Sequence, residues 1–404
     1  MSRVITGSSP HDEDAGPGPR APRGDHPAAG RTAGPAGPAR AAGAPEEPIR
    51  LFDLDTPPAP LAPTRLHLWQ LLVACGFLLT AATAGLIVGP AGLSPGAVLE
   101  EVLVRILPLP LHPHLSATGV LVVFQLRLPE VVLGALVGGM LAVSGAAYQG
   151  VFSNPLADPY LLGVASGAGL GATLALVNAS HLTHLPIDPV PLAAFVGALG
   201  ATGATLALGR SRDGVRAPAT LLLAGVAIAA LLTAVQTFVQ QQNAPDLQVV
   251  YSWILGGLST AGWSQVELIL PYVVPAMIVL VALRRLLDAL SVGDEESTAI
   301  GVRAQRVRLL VIIAATLGTA AAVSVSGLIG FVGIVVPHGI RLVAGPSYRR
   351  ILPLSILVGG GFLILCDVLA NEILAPAEVP LGVVTACVGA PFFLIVLRQA
   401  RRSL

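Results

Sequence analysis

Residues 127–171 read RLPEVVLGALVGGMLAVSGAAYQGVFSNPLADPYLLGVASGAGLG, and this stretch decides how the rest of the chain is interpreted. It joins two apolar segments of membrane length through the polar turn NPLADP, residues 154–159. Proline and Asx residues fix the geometry of turns, and the glycines from position 163 onward allow close helix packing. We therefore expect a turn of defined backbone geometry between two membrane helices.

The composition predicts a protein that crosses a membrane several times. The mean hydropathy is +0.77, and 54% of the residues are hydrophobic against 11% charged. A soluble domain carries about 25% charged residues. The three cysteines, Cys75, Cys366 and Cys387, lie in apolar segments without metal-ligand spacing, so we predict no metal site and no cofactor.

The chain contains no lysine, so all 23 of its basic residues are arginines. A phosphate-binding GxxxxGK[ST] loop is therefore impossible in this chain. If ATP drives the protein, another chain binds the nucleotide, and this chain is predicted not to be an enzyme.

The predicted organisation is a disordered tail, residues 1–64, followed by a membrane domain, residues 65–404. The tail is rich in Pro, Gly, Ala and Arg and lacks apolar periodicity, so it cannot bury enough surface to offset its ordering entropy. A bilayer requires about 20 apolar residues per helix. On this basis we predict an all-α, polytopic fold with ten spans: 67–89, 128–150, 160–178, 191–209, 219–241, 263–283, 308–326, 328–343, 353–371 and 380–398.

The arginines predict the topology, because cytoplasmic loops carry the positive excess. With the N-terminus inside, all arginines except Arg105 and Arg127 fall on the cytoplasmic side. Both termini are therefore predicted to be cytoplasmic.

Ionisable residues within the spans are few and lie mostly near the span ends: Glu130, Glu267, His338 and Asp367. No relay of acids and histidines runs through the helices, which argues against a proton-coupled carrier. On the predicted cytoplasmic side, residues 291–301 (SVGDEESTAIG) are typical of a two-turn helix with acids in its first turn and Gly301 at its end. Such a helix could transmit force from a soluble partner or be an ordinary solvated loop.

From about residue 66 to 400 the chain resembles the FecCD-type permeases, the membrane subunits of ABC importers for ferric siderophores, haem and cobalamin. The resemblance is densest in 127–129 (RLP), 144–172 (SGAAYQGVFSNPLADPYLLGVASGAGLGA), 221–228 (LLLAGVAI), 327–342 (GLIGFVGIVVPHGIRL) and 380–397 (PLGVVTACVGAPFFLIVL). It implies a homodimer or pseudo-dimer of ten-span subunits, with two ATPase subunits docked below and a solute-binding protein above.

The resemblance also implies roles for individual residues. Asn154 and Leu156 would form a cytoplasmic gate, with a second gate element near Pro218 and Ala219. The coupling element that enters an ATPase groove would comprise Gly293, Asp294, Glu295, Ala299 and Gly301.

The chain differs from the family at two positions that are expected to contact the binding protein. Family members often carry an arginine shortly after RLP and another near the outer end of span nine, where this chain has Glu130 and Asn371. Arg127 remains as the matching cation, or is instead an interfacial anchor. Charges at the edge of an interface set the association rate and the choice of partner. We therefore expect this chain to contact its binding protein through a different set of charges at Arg127, Glu130 and Asn371.

The sequence thus predicts the permease subunit of an ATP-driven importer for a ferric siderophore in a bacterial cell membrane. Its partners would be ATPase subunits, a solute-binding protein, a second permease subunit and the lipid bilayer, with no nucleic acid. Two alternatives stay open: the same machine carrying haem or cobalamin, and a secondary carrier or channel that needs no ATPase.

Overall fold

The computed structural model describes residues 65–89, 92–106, 115–179, 188–209, 218–259, 262–291, 293–299, 301–375 and 377–402. Within these ranges the chain forms helices and turns and no strand, which confirms the all-helical class. The tail that we predict to be disordered, residues 1–64, lies outside the described residues.

The described residues form a series of helices. In chain order they are α1 (Leu68–Ile87), α2 (Pro95–Ile106), α3 (Ala117–Leu121), α4 (Leu128–Val151), α5 (Val164–Val177), α6 (Pro189–Leu208), α7 (Pro218–Gln242), α8 (Leu247–Ile254), α9 (Trp263–Ala282), α10 (Arg284–Leu290), α11 (Asp294–Ala299), α12 (Ala304–Ser326), α13 (Val332–Ala344), α14 (Tyr348–Ile373) and α15 (Leu381–Arg402). A π-helical turn, Val122–Arg127, joins α3 to α4.

Seven helices of the described part are long and apolar enough to cross a membrane: Leu68–Ile87, Ala117–Val151, Pro189–Leu208, Ala219–Gln242, Trp263–Ala282, Ala304–Ser326 and Tyr348–Ile373. Three shorter apolar helices, Val164–Val177, Val332–Ala344 and Leu381–Ile395, lie at the third, eighth and tenth predicted spans. The chain is thus a multi-pass helical protein, while the count of ten spans and the side of each terminus stay predictions.

The second span begins earlier than the sequence indicates. We predicted a start near residue 128, but the helix runs without a break from Ala117, because the π turn Val122–Arg127 continues the backbone instead of ending it. Ser116 caps this helix, since its Oγ accepts a hydrogen bond from the amide of Gly119 at 3.1 Å.

Helix α4 lies at the centre of the packing, between α12, α13 and α14. Small residues allow this close approach: a Cβ added at Gly145 would collide with the backbone carbonyl of Gly333, and one added at Gly138 with that of Gly359. Backbone contact of this kind is how membrane helices gain packing energy without a hydrophobic driving force between them. By contrast, only 11% of the apolar window of α7 is buried, so α7 lies on the outside of the described bundle.

Candidate functional site

Hydrogen bonds to Asn154 fix the backbone of the turn between α4 and α5. Its side-chain Oδ1 accepts a hydrogen bond from the amide of Leu156 at 2.9 Å, and its carbonyl accepts one from Ala157 at 3.1 Å. The preceding Ser153 has φ of +49°, a left-handed conformation that non-glycine residues rarely adopt. Leu156 is 47% exposed. Asn154 therefore fixes the turn, and Leu156 is presented at its surface.

Two residues that sequence reasoning did not single out anchor this turn. The hydroxyl of Tyr160 donates to the carbonyl of Ile329 at 2.9 Å and accepts from the amide of Ile329 at 3.1 Å. Gln149 is 1% exposed, and its Nε2 donates to the carbonyls of Gly333 at 3.1 Å and Ala157 at 3.5 Å. Polar side chains in an apolar stretch require such partners, and that requirement was the available sequence signal.

Asp158 also shapes the turn. Its Oδ1 accepts a hydrogen bond from the amide of Tyr160 at 2.8 Å. Burial disfavours the charged carboxylate and raises the pKa of Asp158 to about 6, although the hydrogen bond from Tyr160 acts in the opposite direction. Asp158 is therefore a group of the turn whose protonation changes in mildly acidic solution.

The short helix that we predicted within residues 291–301 is confirmed as α11, Asp294–Ala299. Glycines with positive φ flank it, Gly293 at +135° and Gly301 at +82°, so the backbone changes direction at each end. Within the helix, Ser297 is fully buried, whereas Ala299 is exposed. Gly293, Asp294, Glu295, Ala299 and Gly301 thus lie together in α11 and its two flanking glycines.

At the other end of α4, Arg127 lies inside the bundle. It is 6% exposed, and its Nη1 donates to the carbonyls of Leu86 at 2.9 Å and Ile87 at 3.1 Å. These carbonyls end α1, where a cation is favourable. Arg127 thus ties the end of α1 to the start of α4, and both interpretations that the sequence left open for it, docking residue and interfacial anchor, stay predictions.

Glu130 and Asn371, the two positions at which the chain departs from the family arginines, meet in space. Nδ2 of Asn371 lies 3.5 Å from Oε1 of Glu130 and donates to Oδ2 of Asp367 at 3.3 Å. The sequence placed them on separate spans and gave no sign that they touch. The structure makes them one polar cluster at the ends of α4 and α14.

The second gate position lies at the start of α7, where Ala219 is exposed. Its role in a gate stays a prediction.

The model of the FecCD transport family matches residues 77–399. The chain belongs to this family. It is 43% identical over 290 residues to the cobalamin import system permease protein BtuC of Halobacterium salinarum, covering 72% of this chain and 77% of that protein. It is 41% identical to the vitamin B12 import system permease protein BtuC of Yersinia pestis, covering 71% and 84%. It is also 41% identical to the uncharacterised ABC transporter permease protein YvrB of Bacillus subtilis, covering 69% and 80%.

A solved structure supports the same assignment. An ABC transporter described as metal-chelate type, in an inward-facing conformation, matches at a TM-score of 0.70 and 27% identity, covering 81% of this chain and 98% of that one. This FecCD chain is therefore a membrane-embedded permease subunit of an ABC importer, a family whose members work with ATPase subunits and binding proteins. The cargo that the sequence predicted, a ferric siderophore, is not confirmed, because the relatives with a named cargo given above are cobalamin permeases.

Proposed function

We propose that this FecCD permease imports a cobalamin-type corrinoid. The observation that carries the proposal is 43% identity to a cobalamin permease across 77% of that relative's length. A ferric siderophore is the second candidate, favoured by the likeness to a transporter of metal-chelate type. Both cargoes are bulky metal chelates, and the chain needs no metal ligands of its own to carry them.

The proposed gate is the turn at Asn154 and Leu156, on the cytoplasmic side. The Asx turn at Asn154 holds the exposed Leu156 in place, so the turn can close a path by steric contact. Its fixation to Ile329 by Tyr160 means that the turn and the segment before α13 would move as one unit. Pro218 and Ala219 would supply the second gate element from α7.

The proposed point of force transfer is α11. Two glycines with positive φ set this six-residue helix apart from the neighbouring helices, which supports its assignment as a separate contact element. We assign Gly293, Asp294, Glu295, Ala299 and Gly301 to contact with the ATPase subunit. ATP binding on that subunit would draw two such helices together in a homodimer and thereby switch the path between outward and inward access.

The proposed docking surface for the binding protein is the cluster of Glu130 and Asn371, with Arg127 behind it. Asn371 orients the carboxylate of Glu130, and Arg127 ties α1 to the same end of α4. An acid and a neutral amide at the two positions where family members have arginines would favour a binding protein that presents a cation to Glu130. This arrangement assumes ten spans with both termini in the cytoplasm.

Reconstitution in liposomes tests the proposal. The chain, its ATPase subunit and its binding protein should take up labelled cobalamin when ATP is enclosed, and a ferric siderophore should not compete. The matched control is an ATPase subunit inactivated in its catalytic carboxylate. Uptake of a ferric siderophore but not cobalamin would replace the first cargo by the second. Uptake without any ATPase subunit would refute an ATP-driven permease.

A further inference from the structure

An apolar groove of about 400 Å³ lies between α1, α13, α14 and α15. Its α1 wall runs from Trp69 to Phe77 and its α13 wall from Val335 to Ala344, each roughly 12–14 Å long at the rise of an α-helix. A Cβ added at Gly339, on the α13 wall, meets no described atom within 4 Å, so there is open space in front of this residue. Because one leaflet of a bilayer has about 15 Å of hydrocarbon, the groove has nearly the length of one leaflet.

Arg350 joins the two walls at one end of this groove. Its Nη1 donates to the carbonyl of Ala344, the last residue of α13, at 2.9 Å. Its Nε donates to the carbonyl of Arg65, just before α1, at 3.1 Å. Trp69 lines the same end and is 56% exposed, and tryptophan is enriched where a membrane meets water. We therefore place this end of the groove at the level of the lipid headgroups.

The positive charge at this end is not neutralised within the described residues. Neither Arg65 nor Arg350 forms an ion pair there. Nη2 of Arg350 makes no described hydrogen bond and is not among the buried unpartnered atoms, so it stays accessible, and Arg65 is exposed. The carboxylate of Asp288, which contacts the start of α14, is engaged by Arg349 at 3.2 Å and by the amide of Tyr348 at 2.6 Å. Two arginines are thus available to an anion at the end of an apolar groove.

We propose that this groove holds an acyl chain of an anionic phospholipid, whose phosphate lies at Arg350 and Arg65. Apolar packing alone selects no particular lipid, because bulk lipid tails are as apolar as the groove. The selection comes from charge: a basic residue near a membrane surface gives about a five-fold preference for anionic lipid. A neutral apolar occupant, such as a transmembrane helix, would leave both arginines without a counter-charge.

The bound lipid would hold α1 against α13, the two helices that Arg350 already joins at one end. This inference goes beyond the proposed function and does not depend on the cargo. A failed test of lipid binding leaves the importer assignment untouched, and a failed transport assay leaves the lipid site untouched.

The test uses the full chain in phosphatidylcholine nanodiscs that contain a small fraction of a photoactivatable lipid with a diazirine in its acyl chain. The probe is phosphatidylglycerol or phosphatidylcholine with the same chains, and peptide mass spectrometry maps the label on α1 and α13. We expect at least five-fold more labelling by phosphatidylglycerol, and at least a five-fold loss of that labelling in Arg350→Gln. The control Arg306→Gln removes the same charge from an exposed position outside the groove and should be labelled like the wild type. Inorganic phosphate at constant ionic strength should not displace the lipid, because it cannot fill the groove.

A second pair of variants keeps the test decisive if Arg350→Gln fails to fold. Gly339→Leu fills the open space in the groove without touching either arginine, and Gly200→Leu, on α6, is its match at a position that is also open. Loss of phosphatidylglycerol labelling in Gly339→Leu but not in Gly200→Leu supports the site. Equal labelling by the two lipids, unchanged labelling in Gly339→Leu, displacement by inorganic phosphate, or a groove that neither lipid labels because protein fills it would overturn the proposal.

Discussion

The hydroxyl of Tyr160 donates to the carbonyl of Ile329 at 2.9 Å and accepts from the amide of the same residue at 3.1 Å. One side chain thereby satisfies both backbone groups of a residue distant in sequence and fixes the turn after α4 to the segment before α13.

Replacing Tyr160 by phenylalanine should destabilise the protein. The change leaves the amide and the carbonyl of Ile329 without this partner in a part-buried position, at a cost of about 1–3 kcal/mol. Chemical unfolding in detergent measures the loss. Tyr272→Phe is the matched control, because Tyr272 is 39% exposed and packs by its ring on Phe195. An equal effect in both variants would contradict the anchoring role of Tyr160.

Gly145→Ala should disrupt the contact between α4 and α13. A Cβ at this position meets the backbone of Gly333, which cannot move aside as a flexible side chain would. We expect destabilisation of about 1–3 kcal/mol or more, measured as a lower unfolding midpoint. Gly200→Ala in α6 has nothing within 4 Å of the added Cβ and should be neutral or stabilising. A tolerated Gly145→Ala would mean that the two helices are not in backbone contact.

Asp158 should make stability depend on pH in the acidic range. Its pKa in the folded state is raised to about 6, above that of the unfolded chain, so the folded state binds the proton more tightly. The stability from this group is fully present below pH of about 4 and is lost as the pH rises through about 6. Asp158→Asn, which keeps the acceptor for Tyr160, should remove this dependence and stabilise the protein at pH 7 by on the order of 2–3 kcal/mol. An unchanged pH profile between 4 and 7 in this variant would show that Asp158 stays charged.

Arg127→Gln should lower stability more than Arg105→Gln does. Arg127 is buried and donates to two carbonyls at the end of α1, and hydrogen bonds from charged donors contribute about 1.5–3 kcal/mol. Arg105 is exposed, pairs with Glu101 at 3.7 Å and lies 4.2 Å from the ring of Phe124, so its loss should cost about 1 kcal/mol, less than the loss of the two hydrogen bonds of Arg127. Thermal unfolding of both variants makes the comparison. If Arg127→Gln instead keeps full stability and loses only binding-protein association, Arg127 is a docking residue and not an anchor.

Ala299→Arg should weaken binding of the ATPase subunit without affecting the fold. Ala299 is exposed on α11, so a long cation there blocks a close-fitting partner and leaves the core intact. We expect at least ten-fold less ATPase subunit to copurify, with unchanged thermal unfolding of the chain. Ala377→Arg, another exposed alanine outside α11, is the control and should copurify normally. Normal copurification of Ala299→Arg would remove α11 from the proposed interface.

Local patterns in the sequence determined which segments are helical and which turn has a defined backbone geometry. Apolar length marks a membrane helix without reference to its neighbours, so α1, α6, α9 and α14 lie where the hydropathy predicted them. The acids and glycines around residues 294–301 likewise predicted α11, because first-turn charges and a left-handed glycine act within a few residues. The absence of lysine excluded a Walker-type nucleotide site from composition alone.

The tertiary structure decided what each polar residue touches. Arg127 caps α1, Glu130 meets Asn371, and Gln149 and Arg341 line one cavity, yet each of these relationships joins separate helices. The second span starts at Ala117 instead of the predicted residue 128, because a π turn continues the helix through residues 122–127. Backbone propensity is a local property, whereas the partner of a buried polar atom depends on how helices approach one another. That approach is set by the small residues of α4 across its whole length, and only the folded chain shows it.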